Sequence, residues 1–280
     1  MNRRRAGFTF IELLIGLIVT AIVAGAMIRL IMTDLRFSED REAWRTARQA
    51  ARGGFAMLTA DLRMVETTGG IEAASADGKD ITVRIPYAFG VLCSTNGSTT
   101  VVSVVPVDSA MYVQGGHSGF AWRNDTTAAY TYVAGGGRAS GSALTCALSG
   151  IPVLTGGQVV SLTGSIPAAR PIGTVIFLYR RIRYELKAST QMVGQTALWR
   201  TPVTTGTGEE LAAPFASSAR FRYYTGTNTT PQETVPSPLS SMTGLELAFD
   251  GQSDRTPRMS TTGPKVVQFA TSIYFSNVMP

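Results

Sequence analysis

The chain has 280 residues, of which 44% are hydrophobic, and its formal net charge is +6. A single histidine and two cysteines exclude metal sites built from several histidines and leave one candidate base for a histidine-dependent triad. Half of the excess positive charge comes from Arg3, Arg4 and Arg5, so the remainder of the chain is only weakly basic.

The basic leader precedes a long apolar stretch. Residues 8–28 contain one charged side chain, Glu12, and would form a helix of about 32 Å, enough to cross a bilayer core. The three arginines predict that the leader stays in the cytoplasm and that the rest of the chain lies outside. A signal anchor and a cleaved signal peptide are the alternatives, but neither needs a carboxylate that costs about 2.5–3.5 kcal/mol in the bilayer.

This N-terminus resembles that of a type IV prepilin, with basic residues, a Gly7/Phe8 junction and Glu12 at the fifth position of the apolar run. The resemblance implies that residues 1–7 are a leader, that prepilin peptidase cuts after Gly7, and that it methylates the new amine of Phe8. Glu12 would then face the terminal ammonium of its own or a neighbouring subunit. Because opposite charges offset each other's burial cost, we expect Glu12 to set the axial register during assembly.

A transmembrane helix over residues 8–33 is predicted to continue as an amphipathic helix over residues 34–66. Apolar side chains recur there at helical spacing and form one stripe, which comprises Trp44, Ala47, Ala51, Phe55, Leu58, Leu62 and Val65. We expect its second half to pack on the chain's own β-domain and its more charged first half to face partner subunits. Six arginines and six acids make the segment neutral overall, and Gly53-Gly54 is expected to weaken the helix.

The remaining residues predict an antiparallel β-rich head with two sheets, so the fold class is α+β. Short runs rich in Val, Ile, Thr, Tyr and Phe predict strands within a variable region, residues 67–170; they are 80–85, 100–107, 119–123 and 129–133. A C-terminal meander is predicted for residues 171–280, with strands at 174–186, 197–202, 219–226, 243–250 and 266–277.

The C-terminal order of strands also resembles a family. A tyrosine- and arginine-rich strand is followed by a hairpin through Leu198-Trp199-Arg200, an aromatic strand and two alternating strands. This order is similar to that of the J-type minor pseudopilin of type II secretion and the PilW-type minor pilin. The resemblance implies a structural subunit without enzymatic activity or cofactor, which initiates or caps a type IV pilus or a pseudopilus. Its bulky head favours a filament end, although Glu12 argues against the topmost position.

The same resemblance implies a location and partners. The subunit would lie in the bacterial inner membrane as a single-pass protein with a periplasmic C-terminal domain, and would then enter a pilus or pseudopilus. Its partners would be other minor subunits, the major subunit, prepilin peptidase and the inner-membrane assembly platform.

Cys93 and Cys146 form an even pair in a segment predicted to lie outside the cytoplasm, where disulfides persist. A bond between them would close a loop of about fifty residues and stabilise the fold by roughly 4 kcal/mol on a chain-entropy argument. Two separate buried thiols are the alternative.

Residues suited to catalysis or metal binding are sparse. His117 lies in the run QGGHSG and is expected on a surface loop. Asp250 and Asp254 lie in a predicted turn, but two acids four residues apart fall short of a calcium-binding loop, so solvated turn residues are the better interpretation. We therefore expect no catalytic residue, no metal and no cofactor.

Basic and aromatic residues alternate on two predicted strands; they are Arg180, Arg181, Arg183, Arg220 and Arg222 with Tyr179, Tyr184, Tyr223 and Tyr224. Such interleaving is typical of nucleic-acid-binding surfaces, and also of ordinary strands without a ligand. A DNA-binding minor pilin, or a pilus-tip adhesin that uses loops between residues 87 and 170, is the alternative to a purely structural subunit.

Overall fold

The computed structural model describes residues 9–114, 117–124, 127, 129–135, 137–167, 170–257 and 263–275. The predicted leader, the Gly7/Phe8 junction and the last two residues of the strand predicted at 266–277 lie outside the described residues.

One long helix, α1, occupies Phe10–Leu62 without interruption. It covers most of the predicted transmembrane and amphipathic segments, and it ends at Leu62 rather than at residue 66. The helix continues through Gly53-Gly54 without a break, so any weakening by the two glycines does not interrupt it. Gly54 is buried, and a Cβ atom built on it would lie 2.9 Å from Cζ of Phe215, so this glycine permits a close approach between the helix and the head.

Among the described residues, the head contains two short α-helices, α2 (Pro106–Gln114) and α3 (Ala143–Leu148), and a 3-10 turn at Leu239–Ser241. The strands are β1 (Ile71–Ala74), β2 (Asp80–Asn96), β3 (Thr99–Val104), β4 (Gly119–Arg123), β5 (Tyr130–Ala134), β6 (Arg138–Ser140), β7 (Gln158–Thr163), β8 (Val175–Ala188), β9 (Thr196–Pro202), β10 (Glu209–Phe215), β11 (Arg220–Thr225), β12 (Met242–Ala248), β13 (Gly251–Gln252), β14 (Val266–Val267) and β15 (Ala270–Tyr274).

The strands form two antiparallel sheets, which confirms the α+β class. Within the described ranges, twelve strands make the larger sheet, whose main path runs β14-β13-β10-β9-β8-β2-β3-β7-β6. The smaller sheet has the order β11-β12-β15. At the centre of the larger sheet β2 pairs with β8 from Asp80↔Glu185 to Val91↔Val175. The region 67–170 and the region 171–280 therefore share one sheet.

Two sequence expectations about the head are wrong. The C-terminal strands do not form a single meander, because β8, β9 and β10 belong to the larger sheet whereas β11, β12 and β15 form the smaller one. The strand predicted at 100–107 ends at Val104, and α2 begins at Pro106. Proline is well suited to the first turn of a helix, since it lacks the N–H that would be left unpaired there.

The second half of α1 packs on the head through the predicted apolar stripe. Ala51, Phe55, Leu58 and Leu62 belong to one hydrophobic core together with residues of both sheets. The ring of Phe55 stacks on Phe249 with centroids 5.4 Å apart. This burial couples the orientation of the helix to that of the head.

A polar contact adds to this packing. The hydroxyl of Tyr184 on β8 donates a hydrogen bond to Asp61 of α1, and Arg200 Nε of β9 lies 3.3 Å from Asp61 Oδ2. Burial and the neighbouring Asp61 carboxylate raise the pKa of the Tyr184 phenol, so it remains a donor at neutral pH.

Candidate functional site

The tip of α1 is closed by a reciprocal pair of side chains. Thr9 is the N-cap residue; its hydroxyl oxygen accepts a hydrogen bond from the backbone N–H of Glu12 at 3.4 Å. In return, Oε2 of Glu12 accepts from the backbone N–H of Thr9 at 2.9 Å and from its hydroxyl at 3.0 Å. This is a capping box, which the Thr-x-x-Glu spacing could have revealed from the sequence alone.

Through the capping box Glu12 stabilises the start of the helix, in addition to its expected role in assembly. The negative carboxylate lies at the positive end of the helix dipole, where it stabilises the helix. Phe8, the residue whose amine it is expected to meet, lies outside the described residues. The ion pair between Glu12 and Phe8 therefore stays a prediction.

The first half of α1 has an apolar surface that the rest of the described chain leaves uncovered. Phe10 is 83% exposed and Leu30 is 72% exposed. This part of α1 is long and apolar enough to span a membrane, and no part of its most apolar window is buried inside the protein. Such a surface requires lipid or another apolar helix around it, which is consistent with membrane anchoring.

Cys93 and Cys146 lie together in the structure and form a disulfide with their Cα atoms 4.7 Å apart. The bond connects β2 to α3, and both residues are fully buried in a small cluster with Val159. It joins segments that are separated by 53 residues in the chain.

His117 is not on a surface loop, contrary to expectation, because it is only 7% exposed. Its Nδ1 atom lies 3.2 Å from the hydroxyl of Tyr87. Burial, followed by the positive charge of Arg138, lowers the pKa of His117 to about 4. The structure therefore makes His117 a neutral, buried imidazole in contact with a tyrosine.

The predicted patch of basic and aromatic residues is largely neutralised. Arg181 Nε donates to Glu72 at 2.6 Å, and Arg183 Nη2 lies 3.0 Å from Asp80. On the other strand, the two arginines face acids too: Arg220 lies 3.0 Å from Glu233, and Arg222 lies 3.1 Å from Glu246. All four tyrosines, Tyr179, Tyr184, Tyr223 and Tyr224, are buried. They are therefore unavailable for stacking on nucleic-acid bases.

The two acids considered for calcium do not converge on one site. A carboxylate oxygen of Asp250 accepts from Ser218 Oγ at 2.7 Å, and Asp254 lies 3.8 Å from Nε of Arg255. Across the ranges that the structure describes, no group of three or more His, Cys, Asp or Glu side chains is placed to hold a metal ion.

Comparison with known families bears on the N-terminal segment. Residues 2–28 match the family model described as the prokaryotic N-terminal methylation motif. No curated protein and no solved structure matches the chain significantly. The match includes the Gly7/Phe8 junction, Thr9 and Glu12. The chain thus carries a type IV pilin-like methylation signal at the start of an apolar helix whose length and exposure are consistent with membrane anchoring.

Proposed function

We propose that the protein is a minor pilin or pseudopilin, a structural subunit that initiates or caps a type IV pilus or a type II secretion pseudopilus. One observation supports this most strongly: the methylation motif of residues 2–28 opens an exposed apolar helix that continues unbroken into the core of a β-rich head. A single rigid element then connects the membrane-embedded end, where subunits would pack, to the folded domain.

In this proposal prepilin peptidase cuts the chain between Gly7 and Phe8 and methylates the Phe8 amine. The cut would leave Thr9 as the second residue of the mature protein, so the new ammonium would lie next to the capping box of Thr9 and Glu12. Glu12 would then accept hydrogen bonds at the helix tip and neutralise a terminal charge in a medium of low dielectric constant, where such attraction is strong. The subunit partners are other minor subunits and the major subunit, and the assembly platform is in the inner membrane.

The size of the head supports a position at a filament end. The residues described after position 66 form a head with two sheets, and a bulky subunit is more easily accommodated at an end than in every repeat of a helical array. The C-terminal domain lies in the periplasm before assembly in this proposal, an environment in which the Cys93–Cys146 disulfide persists.

N-terminal sequencing and intact mass of membrane-extracted protein, from cells with and without prepilin peptidase, test the proposal. We expect a mature chain that begins at methylated Phe8 only where the peptidase is present. A chain that still begins at Met1, or one cut behind Met27, would contradict the proposed function.

Two substitutions at Glu12 separate its charge from its capping role. Glu12→Ala removes both, whereas Glu12→Gln keeps a side chain that can complete the capping box but removes the charge. If charge pairing with Phe8 sets the register, both variants should be cleaved normally and both should lose incorporation into filaments. Normal incorporation of Glu12→Gln with loss for Glu12→Ala would assign the effect to capping alone.

A second candidate function, a tip adhesin, is favoured by one feature of the head. Val107 on α2 and Leu144 and Leu148 on α3 are largely exposed apolar side chains. Exposed apolar side chains mark a binding surface where they form one contiguous patch. The DNA-binding alternative receives less support, because the arginines Arg181, Arg183, Arg220 and Arg222 are ion-paired.

A further inference from the structure

The second half of α1 presents a row of exposed arginines. Arg41, Arg45, Arg48 and Arg52 lie on α1, Arg63 directly follows its last residue, and all five are exposed. At 3.6 residues per turn, these five side chains fall within an arc of about 60° on the helix surface. We name these five residues the arginine stripe. Between Arg41 and Arg63 the only acids of α1 are Glu42 and Asp61, and the side chains of both project from the helix outside this arc.

The helix has no net charge, but in its second half the acids lie on different faces from the arginine stripe. Asp40 lies 3.5 Å from Nζ of Lys265, and Asp61 contacts Arg200 on the larger sheet. These acids are therefore used for contacts with the head. By contrast, within the described ranges no carboxylate forms an ion pair with any member of the arginine stripe. Arg41 lies over the ring of Phe37 at 4.2 Å, but this contact leaves the mutual repulsion of arginines at successive turns, a cost that an anionic partner would remove.

The height of the stripe above the membrane indicates what that partner is. Arg29 is the first charged residue after the apolar run, and Arg41 lies about 18 Å further along the helix axis. The headgroup layer is only about 5–8 Å thick on each side of the hydrocarbon core. For a helix that leaves the membrane upright, the stripe therefore begins beyond the lipid headgroups, where a protein rather than a lipid can contact it.

We propose that the arginine stripe docks an acidic helix face on a different subunit of the filament. This inference rests on the proposed function for the presence of that neighbour, and it adds the chemistry of the contact. The spacing of four, three and four residues from Arg41 to Arg52 matches carboxylates repeated at every helical turn of a partner helix. The guanidinium group binds carboxylates with two parallel hydrogen bonds, which favours arginine for such a contact.

Two further observations identify the face and the partner. Trp44 is 41% exposed at the edge of the stripe, and exposed Trp beside Arg is a typical composition of binding hot spots. A second copy of this chain is a poor partner, because its α1 carries no acid between residues 43 and 60, and Asp40 and Asp61 already contact its own head. The acidic face thus belongs to another kind of subunit.

The test uses the full-length protein in native membranes, with a photo-crosslinking amino acid in place of Gln49, which is exposed beside the stripe. Three variants are compared in this background: Arg48→Glu, Arg48→Lys, and the control Arg255→Glu, which reverses a highly exposed arginine outside the stripe. We expect Arg48→Glu to reduce the crosslinked product at least tenfold, Arg48→Lys to reduce it less than threefold, and the control to leave it unchanged.

The crosslinked peptide is then identified by mass spectrometry. A peptide with Asp or Glu at helical spacing, in which replacing one acid by arginine restores crosslinking to Arg48→Glu, would support the proposal. A peptide without carboxylates, a crosslink to phospholipid, or a yield unaffected by Arg48→Glu would overturn it. N-terminal sequencing of the same samples separates the two proposals. If the protein is cleaved and incorporated but Arg48→Glu does not change the crosslinking yield, only the docking inference is refuted. If the protein is not cleaved, the proposed function is refuted, and the docking inference loses the neighbouring subunit on which it depends.

Discussion

Replacing Gly53 and Gly54 separately by alanine should change the stability of the head in opposite directions. Both glycines lie inside α1, where alanine is favoured over glycine by about 1 kcal/mol. At Gly53 an added Cβ atom meets nothing within 4 Å, so Gly53→Ala should stabilise the protein by about this amount. The two residues are neighbours, and this makes each variant a close control for the other.

At Gly54 the gain in helix propensity is opposed by a steric conflict. The added Cβ atom would lie 2.9 Å from Cζ of Phe215, whose side chain is 1% exposed. The ring cannot move aside easily, because it packs edge-on against Phe249 at a centroid distance of 5.6 Å. Overpacking of this kind costs about 1–3 kcal/mol, so Gly54→Ala should be destabilising by about 1 kcal/mol net.

Thermal unfolding of the detergent-solubilised protein, followed by near-ultraviolet circular dichroism, measures the difference. For a domain of this size, a gap of about 2 kcal/mol between the two variants corresponds to about 4–8 °C in Tm. Adding Phe215→Leu to Gly54→Ala should recover part of the loss, because the two sites are in contact. Equal stabilisation by both alanines would refute the reasoning, since it would mean that the close approach at Gly54 does not need glycine.

Two further predictions concern the head. Replacing Cys93 and Cys146 together by serine should lower the free energy of unfolding by about 4 kcal/mol, because the bond closes a loop of 53 residues. A mass gain of two hydrogens on reduction of the original protein checks that the bond is present. An unchanged urea midpoint in the double variant would contradict the stabilising role of the bond. Because burial and Arg138 lower the pKa of His117 from 6.5 to about 4, the unfolded chain takes up this proton first, and stability should fall as the pH drops from about 6.5 to about 4. His117→Gln should remove about 2 kcal/mol of the difference in unfolding free energy between pH 7 and pH 4.5, and an identical pH profile in both proteins would count against a buried neutral imidazole.

Local patterns in the sequence predicted the N-terminal helix well. The apolar run and the heptad spacing of Ala51, Leu58 and Val65 depend only on residues close together in the chain. Strand positions were also largely predictable from composition, as with β4 and β5. The pairing of β2 with β8 was not, because it joins residues about a hundred positions apart and no short-range signal specifies which strands meet.

His117 shows how such long-range pairing changes the meaning of a motif. The run QGGHSG has the composition of an exposed loop, and the sequence gives no reason to bury it. However, β4 begins at Gly119 and pairs with both β5 and β8, which draws the preceding residues against the sheet. The backbone N–H of Ser118 donates a hydrogen bond to the carbonyl of Tyr179, and this places the neighbouring His117 ring in contact with the hydroxyl of Tyr87. Only the pairing of strands distant in the chain makes this histidine a core residue.

The charges of α1 are a different case, because the sequence shows their spacing but not which of them face the head. A count over residues 34–66 gives a neutral segment, and neutrality alone suggests no preference among partners. The 3.6-residue period of a helix places each charged residue on one face of α1. The sequence does not show which face the head covers; the burial of Ala47, Ala51 and Leu58 does. The arginines Arg45, Arg48 and Arg52 then point outward, while Asp61 turns toward the sheet. With acids and arginines exchanged, the same composition would lose the contacts of Asp40 and Asp61 with the head, and the proposed docking would then need a basic neighbour. Within that proposal, the face on which each charge lies, rather than the net charge, specifies the partner.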